Sequence, residues 1–307
     1  MRFAISIPQF FADGEFDPAA QRAYLARAEE LGFDSGWTQE QILGSMPQLS
    51  PLETLTFAAA HTERLRLGCV VFVTPLHNPL HLAKYLSTLD QISRGRLEIG
   101  VGIGGGFRDF AAFGIDGSRL VARFNEGLRL MKALWTEPKV DFDGDYWKLE
   151  GAGMEPKPFQ KPHPPVWFGA SAPAALRRAA RLGDGFFGAG SSTTEQFAQQ
   201  VPVVREALAE AGRDVDSFPI AKRVYVAVDD DADRAQRRMA EALIGIYGPE
   251  YGRKLAPVAV TGRPEDCAQG LRAVTDAGAE LILLTTLFEP AEQMERLAAE
   301  VIPLAQV

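Results

Sequence analysis

The chain of 307 residues is long enough for one large α/β barrel or two medium domains, and its 46% apolar and 23% charged residues are those of an ordinary globular protein. A net charge of −8, with the basic residues scattered rather than striped, argues against nucleic acid or an acidic membrane surface as the main partner. Two cysteines, Cys69 and Cys267, build neither a disulfide framework nor a C-x-x-C site; the opening MRFAISIPQF lacks a signal-peptide core and no apolar run approaches the ~20 residues of a membrane span, so a cytoplasmic protein is expected.

Short apolar strands alternate with helical patterns along the chain. Residues 3–7 form the first predicted strand, and a helix starting at Asp17-Pro18 carries Tyr24, Leu25, Ala28 and Leu31 until Gly32 ends it. Residues 33–38 lead into a second strand, and 51–62 form the next helix. Residues 65–73 are almost wholly apolar, as in a strand buried on both faces. Asn78 then offers an N-cap and Pro79 a first helical residue, with Leu80, Ala83, Leu86 and Leu89 at helical spacing. A fourth strand over 97–101 runs into Gly100, Gly102, Gly104, Gly105 and Gly106, and a long helix covers 120–136. Strands five to eight are predicted at 166–169, 185–188, 220–228 and 281–286. Helices fit at 173–182, 194–211, 231–247 and 264–277, and a last one follows Glu289.

Eight strand–helix units specify an α/β chain, a single (β/α)8 TIM barrel over residues 1–307, with its chemistry at the C-terminal ends of the strands. Two insertions interrupt the series. After helix 4, residues 137–165 contain VDFDGDYWKLEG, whose period-two pattern around Asp143-Gly144 predicts a hairpin, and PKPFQKPHPP, a stiff extended connector. Before strand 8, residues 246–262 are too long for an ordinary connection. Both insertions suit lids or subunit contacts.

Gly100, Gly102 and Gly105 match G-x-G-x-x-G, but no helix opens directly from them, and Arg119 and Arg123 occupy the region of the acidic ribose ligand. A Rossmann site is therefore disfavoured against a glycine loop that lets a planar ligand or phosphate approach the backbone, or an ordinary loop. Gly169 and Ser171 precede Pro173 at a helix start, and Gly188-Ala189-Gly190 with Ser191 and Ser192 end the next strand. Free N–H groups there suit a phosphate, while simple capping by Ser171 looks the same in sequence. Glu40 and Gln41 follow the second strand, where a carboxylate acts as acid or base or lies solvated in a loop. His77 and His81 lack both the H-E-x-x-H pattern and a third ligand, so no metal is expected; His77 remains a candidate substrate or cofactor contact. Trp37, Phe72, Phe107, Phe187 and Phe288 lie near strand ends, as core aromatics or as walls for a flat apolar ligand. A Schiff-base lysine at a strand end and a G-x-S-x-G nucleophile are both missing.

ELGFDSGW at 30–37, TERLRLGCVVFVTPLHNPLHLAKYLSTLDQISRGRLEIGVG at 62–102, LMKALWTEP with DGDYW behind it, and PKPFQKPHPPVWFGASAPAALRRAARLGDGF at 156–186 together resemble the luciferase-like flavin oxidoreductases. This barrel family uses FMN or the deazaflavin coenzyme F420, and the resemblance covers nearly the whole chain. It implies a bulge with a cis non-proline peptide at Val70-Val71 behind the cofactor ring. It also implies that Gly102, Gly104 and Gly105 (with the loop to Gly106) lie along ring and ribityl chain. Gly169, Ala170, Ser171 and Ala172, with Pro173, would hold the phosphate, and Gly188, Ala189 and Gly190 would border the ring.

Departures from the family pattern carry information too. Many members have an Asp-His pair after the second strand, where this chain has Glu40 and Gln41, so acid–base work and substrate contacts fall to Glu40, Gln41, His77 or water. The sugar-phosphate dehydrogenase branch has a glutamate where this chain has Gly105, and Val70 stands where glycine, serine or alanine is usual. The resemblance implies an oxidoreductase or monooxygenase acting on a small organic substrate, a homodimer, and a partner flavin reductase if FMN is the cofactor. A non-catalytic flavin-binding barrel and a cofactor-free barrel lyase or isomerase are the alternatives.

Overall fold

The two ends of the chain are sheet neighbours, and their pairing helps close the fold. In chain order the strands are β1 (Arg2–Ser6), β2 (Ser35–Thr38), β3 (Arg66–Val73), β4 (Leu97–Gly102), the pair β5 (Val140–Asp143) and β6 (Lys148–Ala152), then β7 (Val166–Ala170), β8 (Gly185–Gly188), β9 (Ile220–Val228), β10 (Val260–Gly262) and β11 (Leu281–Thr285). The structure, a computed structural model, describes residues 1–11, 15–44, 46–105 and 109–306, so Gly106 and Phe107 lie outside the described residues. Among these residues β1, β2, β3, β4, β7, β8, β9 and β11 close into a parallel eight-stranded barrel, with β1 joined to β11 and β8 to β9. Parallel strands need helical crossovers, and the apolar runs between helix patterns supply both.

Strand alternation divides the core. Ala4, Trp37, Trp167, Phe187, Ala221, Leu281 and Leu283 fill the barrel, while residues of the other parity, such as Phe3 and Ile5, pack toward the helices. The indoles need bare backbone opposite them. A Cβ on Gly68 would lie 2.4 Å from the Trp37 ring, and one on Gly185 would lie 2.5 Å from that of Trp167. Near the start of β4, buried Glu98 accepts from Arg66 Nε and Trp167 Nε1, each at 2.5 Å. Burial holds this carboxyl above its ordinary range, and the two donors oppose that shift. It belongs to the end of the barrel remote from the strand C-termini, so its role is structural.

Helix starts follow from proline and capping residues. The helices α1 (Pro18–Glu30), α2 (Pro51–His61) and α3 (Pro79–Ile92) each open on a proline, whose missing N–H costs nothing at that position. Asp17 accepts from Ala19 and Ala20 N–H, and Asn78 from Leu80 N–H. Next come α4 (Leu120–Thr136), α5 (Pro173–Leu182), α6 (Thr194–Glu210), α7 (Ala232–Tyr247), α8 (Pro249–Leu255), α9 (Pro264–Asp276), α10 (Pro290–Arg296) and α11 (Ile302–Ala305). Cys69 and Cys267 are both buried thiols.

The first insertion is the expected antiparallel hairpin, β5 with β6, and α4 fastens it. Buried Glu126 accepts the N–H groups of Asp145, Tyr146 and Trp147 at 2.8–3.0 Å, and Gly144 leaves room for that carboxylate. The connector behind it is tied by buried Asp90, which accepts from both the backbone and the side chain of Gln160 at 2.8 Å. The second insertion is no long loop. Gly248 (φ +81°) ends α7, Pro249 opens α8, and residues 260–262 become β10. This is feasible because β9 is nine residues long: its first half belongs to the barrel and Val226–Val228 pair with β10.

Candidate active site at the barrel mouth

β3 carries one residue more than its neighbour. Cys69 pairs with Ile99 and Phe72 with Val101, so Val70 and Val71 together face Gly100, and the Val70-Val71 peptide is cis. The bulge turns Val70 onto the aromatic cluster inside the barrel and Val71 toward β4 and β7. Three strand glycines make this feasible. A Cβ on Gly100 would lie 2.1 Å from the Cys69 carbonyl oxygen, and Cβ atoms on Gly102 and Gly169 would lie 2.6 and 2.7 Å from the Val71 methyls. These glycines, read from sequence as ligand contacts, first of all accommodate the bulge.

Above the bulge lies a cavity of about 670 Å³, within the usual range for ligand pockets. Its wall contains Val70 and Val71, Gly102, Gly104 and Gly105, Gly169, Ala170, Ser171 and Ala172, and Gly188, Ala189 and Gly190, together with Glu40 and Gln41. Gly104 needs glycine for itself, at φ +89°. His77 is outside this wall; it reaches the cavity only through Glu40. Among the anticipated aromatic wall residues, Phe187 lines the cavity. Phe72 is fully buried toward the helices, and Phe288 packs elsewhere under Arg238.

Glu40 is buried and doubly held. Val73 N–H donates to Oε2 at 2.7 Å, and His77 Nε2 lies 2.8 Å from Oε1. The carboxylate thereby fixes the end of β3 to the segment after β2. Gln41 lies at the rim against Gly44.

The part of the wall at the start of α5 suits an anion. Ala172, not Ser171, is the N-cap of α5, and among the described residues no side chain caps this helix. Its first N–H groups and the positive end of its dipole therefore face the cavity. Arg178, a little over one turn on, lines the same wall and has no ion pair among the described residues. Burial, with Arg181 nearby, lowers its pKa from the ordinary value.

Arg223, Tyr225, Tyr247, Tyr251 and Gln39 also line the cavity and were not singled out from sequence. Arg223 and Tyr225 share strand parity with Ala221, which points into the barrel, so period two within KRVYV was the available signal. The guanidinium of Arg223 stacks 4.9 Å over the Tyr225 ring, and its Nε donates to Thr285 Oγ1 at 3.1 Å. Burial alone would lower its pKa, but Tyr225 and Tyr247 beside it hold it above the ordinary value. The Tyr225 and Tyr247 hydroxyls are 2.9 Å apart, and Tyr247 donates to Gln39 Oε1 at 3.3 Å. Just behind this wall Lys222, 2% exposed, donates to the carbonyls of Ala189 and Arg223 at 2.5 and 2.9 Å. Burial, with Arg223 beside it, pushes its pKa down to about 7.

Among the described residues no group of His, Cys, Asp and Glu is placed to hold a metal ion, and no helix is long and apolar enough to cross a membrane. Comparison with known proteins agrees with this geometry. The chain is 29% identical over 324 residues to the F420-dependent glucose-6-phosphate dehydrogenase of Intrasporangium calvum, covering 94% of this chain and 95% of that one. The enzyme of the same name from Mycobacterium tuberculosis is 33% identical over 234 residues, 72% of this chain and 68% of its own. The solved monooxygenase RslO1 from Streptomyces bottropensis superposes with a TM-score of 0.84 at 26% identity, covering 99% of both chains. The sequence profile of the luciferase-like monooxygenases matches residues 1–301, so this chain belongs to the luciferase-like monooxygenase family.

Proposed function

We propose that this protein is a coenzyme F420-dependent oxidoreductase acting on a small organic substrate. The observation that carries this reading is the two-sided cavity. One wall is the bulge at Val70-Val71 with its bare glycine backbone, suited to a flat ring, and the other is the uncapped start of α5 with Arg178, suited to the phosphate of the side chain. The size, the flat wall and the separate anion seat fit a flavin-type group. Support for the deazaflavin comes from the curated relatives, which are named for F420. When bound, that group supplies hydride chemistry.

The chain's own residues do the rest. Val70 and Val71 would back the ring, Gly188, Ala189 and Gly190 would border it, and the first turn of α5 would hold the phosphate, all of them lining the cavity. Glu40, locked by Val73 N–H and paired with His77, is the group at the rim that can hold or give up a proton beside a substrate. Tyr225, Tyr247 and Gln39 face the substrate end of the cavity. Carried over from the family resemblance, the proposal includes a homodimer and a cytoplasmic location. Gly105 supplies no carboxylate to the loop after β4, which favours a substrate other than a sugar phosphate.

A second reading, an FMN-dependent monooxygenase served by a partner reductase, is favoured by the likeness to RslO1. Parallel fluorescence titration of the protein with F420 and with FMN separates the two. Binding of F420 with at least tenfold preference supports the first, and preference for FMN overturns it in favour of the second. Binding of neither defeats both and leaves a cofactor-free barrel, while tight binding without turnover leaves a flavin-binding one.

A further inference from the structure

Beside the main cavity lies a smaller one of about 60 Å³, lined by residues at the C-terminal ends of β1, β2, β9 and β11. Val70, Gln39 and Arg223 line both cavities. Two groups in the small cavity lack the partner that their chemistry calls for. The Thr286 hydroxyl is buried without a hydrogen-bond partner, in a residue only 8% exposed. Arg223 contacts hydroxyl oxygens and an aromatic face, and no carboxylate pairs with it among the described residues. A buried hydroxyl without a partner is unfavourable, and the half-buried Arg223 keeps its charge with no carboxylate beside it among the described residues, so a cavity lined by both suits an oxyanion.

Size narrows the oxyanion. A water needs roughly 10–15 Å³ by the same measure, so the space takes about four waters: room for a carboxylate, not for a phosphorylated hexose. A guanidinium engaged through Nε by Thr285 and also by the Tyr247 hydroxyl still has terminal N–H groups left to donate to a carboxylate oxygen. We propose that this side cavity is a subsite for a carboxylate on the substrate, held by Arg223 and Thr286, and that the substrates are small organic acids whose reacting end lies past Val70 in the main cavity. This names a substrate class for the site described above, and so rests on the proposed function.

The test is isothermal titration of the full chain, with and without F420, using butyrate, its neutral isostere butyramide, and inorganic phosphate. Butyrate is expected to bind at least tenfold more tightly than butyramide. R223Q should erase that preference and T286V should reduce it at least threefold, both read on the cofactor-free protein, with T286V leaving F420 affinity within about twofold. Equal binding of acid and amide, a preference that survives in both variants, tighter binding of phosphate than of butyrate, or a loss of F420 affinity in T286V would each overturn the proposal. Should R223Q fail to fold, the near-isosteric T286V decides alone. Failure of F420 to bind refutes the proposed function instead, since the anion preference is still read on the cofactor-free protein.

Discussion

Glu40 and His77, 37 positions apart in the chain, meet with Nε2 of the imidazole 2.8 Å from one carboxylate oxygen, while the other oxygen accepts the Val73 N–H. The acid is thus held in one orientation from two sides, and only its partner imidazole is partly open to solvent. Of the two, Glu40 lines the main cavity, and His77 stands behind it.

For E40Q, the amide oxygen can still accept from Val73, but residue 40 can no longer take up or give up a proton. Turnover is expected to fall by about 10²-fold or more, the usual contribution of a positioned acid or base, with F420 affinity changed less than threefold. Steady-state kinetics beside a fluorescence titration read the two effects separately. If cofactor affinity collapses instead, Glu40 belongs to the cofactor seat.

The glycines around the bulge make a prediction about stability. In G169A the new methyl would meet Val71 Cγ1 at 2.7 Å, an overpacking expected to cost about 1–3 kcal/mol. V71A should relieve most of it, so the double variant should be less destabilised than the sum of its parts. G100A meets the Cys69 carbonyl, which is backbone, and V71A should give it no relief. Urea unfolding of the single and double variants measures the coupling, and strict additivity for the 71–169 pair would count against this packing.

Lys222 predicts a pH dependence. Its folded pKa, about 7, is depressed below the ordinary 10.5, so between these values the unfolded chain binds a proton that the folded chain has released. Stability linked to this group therefore rises with pH across that window, and the penalty for burying the charge is fully present below about pH 7. Relative to K222M, the wild-type chain should gain about 2–4 kcal/mol between pH 7 and 10. Denaturant unfolding of both chains at the two pH values checks it, and parallel pH profiles would show that Lys222 titrates normally.

The start of α5 predicts a phosphate dependence. A deazaflavin lacking the side-chain phosphate should bind at least about 10-fold more weakly than F420, and R178Q should narrow that gap by weakening only the phosphorylated form. Equal affinities for the two forms would move the anion seat away from α5.

The alternation of strands and helices was legible because strands buried on both faces read as apolar runs, and because prolines mark the starts of α1, α2, α3 and α5. The residues expected through resemblance from Val70-Val71 and the glycine segments line one cavity, while His77 stands outside its wall. What single positions could not show was why Gly100, Gly102 and Gly169 are glycine. That reason is a contact among three strands that exists only once β3 has bulged against β4 and β7. Capping by Ser171 was an alternative to phosphate binding because a serine before a proline-started helix is often a cap, and the structure puts the cap position one residue later, on Ala172. Arg223 and Tyr225 were within reach of a period-two count, but sat in a strand recognisable by its apolar neighbours. Tyr247 and Tyr251 arrive from the insertion before β11, whose sequence gives no sign that it turns back over the barrel mouth.

Val70 lines both cavities, as Gln39 and Arg223 do, and its isopropyl group is the apolar part of the partition between two rooms. The family pattern places glycine, serine or alanine here, and each of those would thin or remove the wall. A partition gives a ligand reaching across it a fixed ruler, and Val70 supplies its apolar edge. Selection by this protein then works by length between a charged end and a reacting carbon, a quantity that a change at position 70 would alter without touching any group that does chemistry.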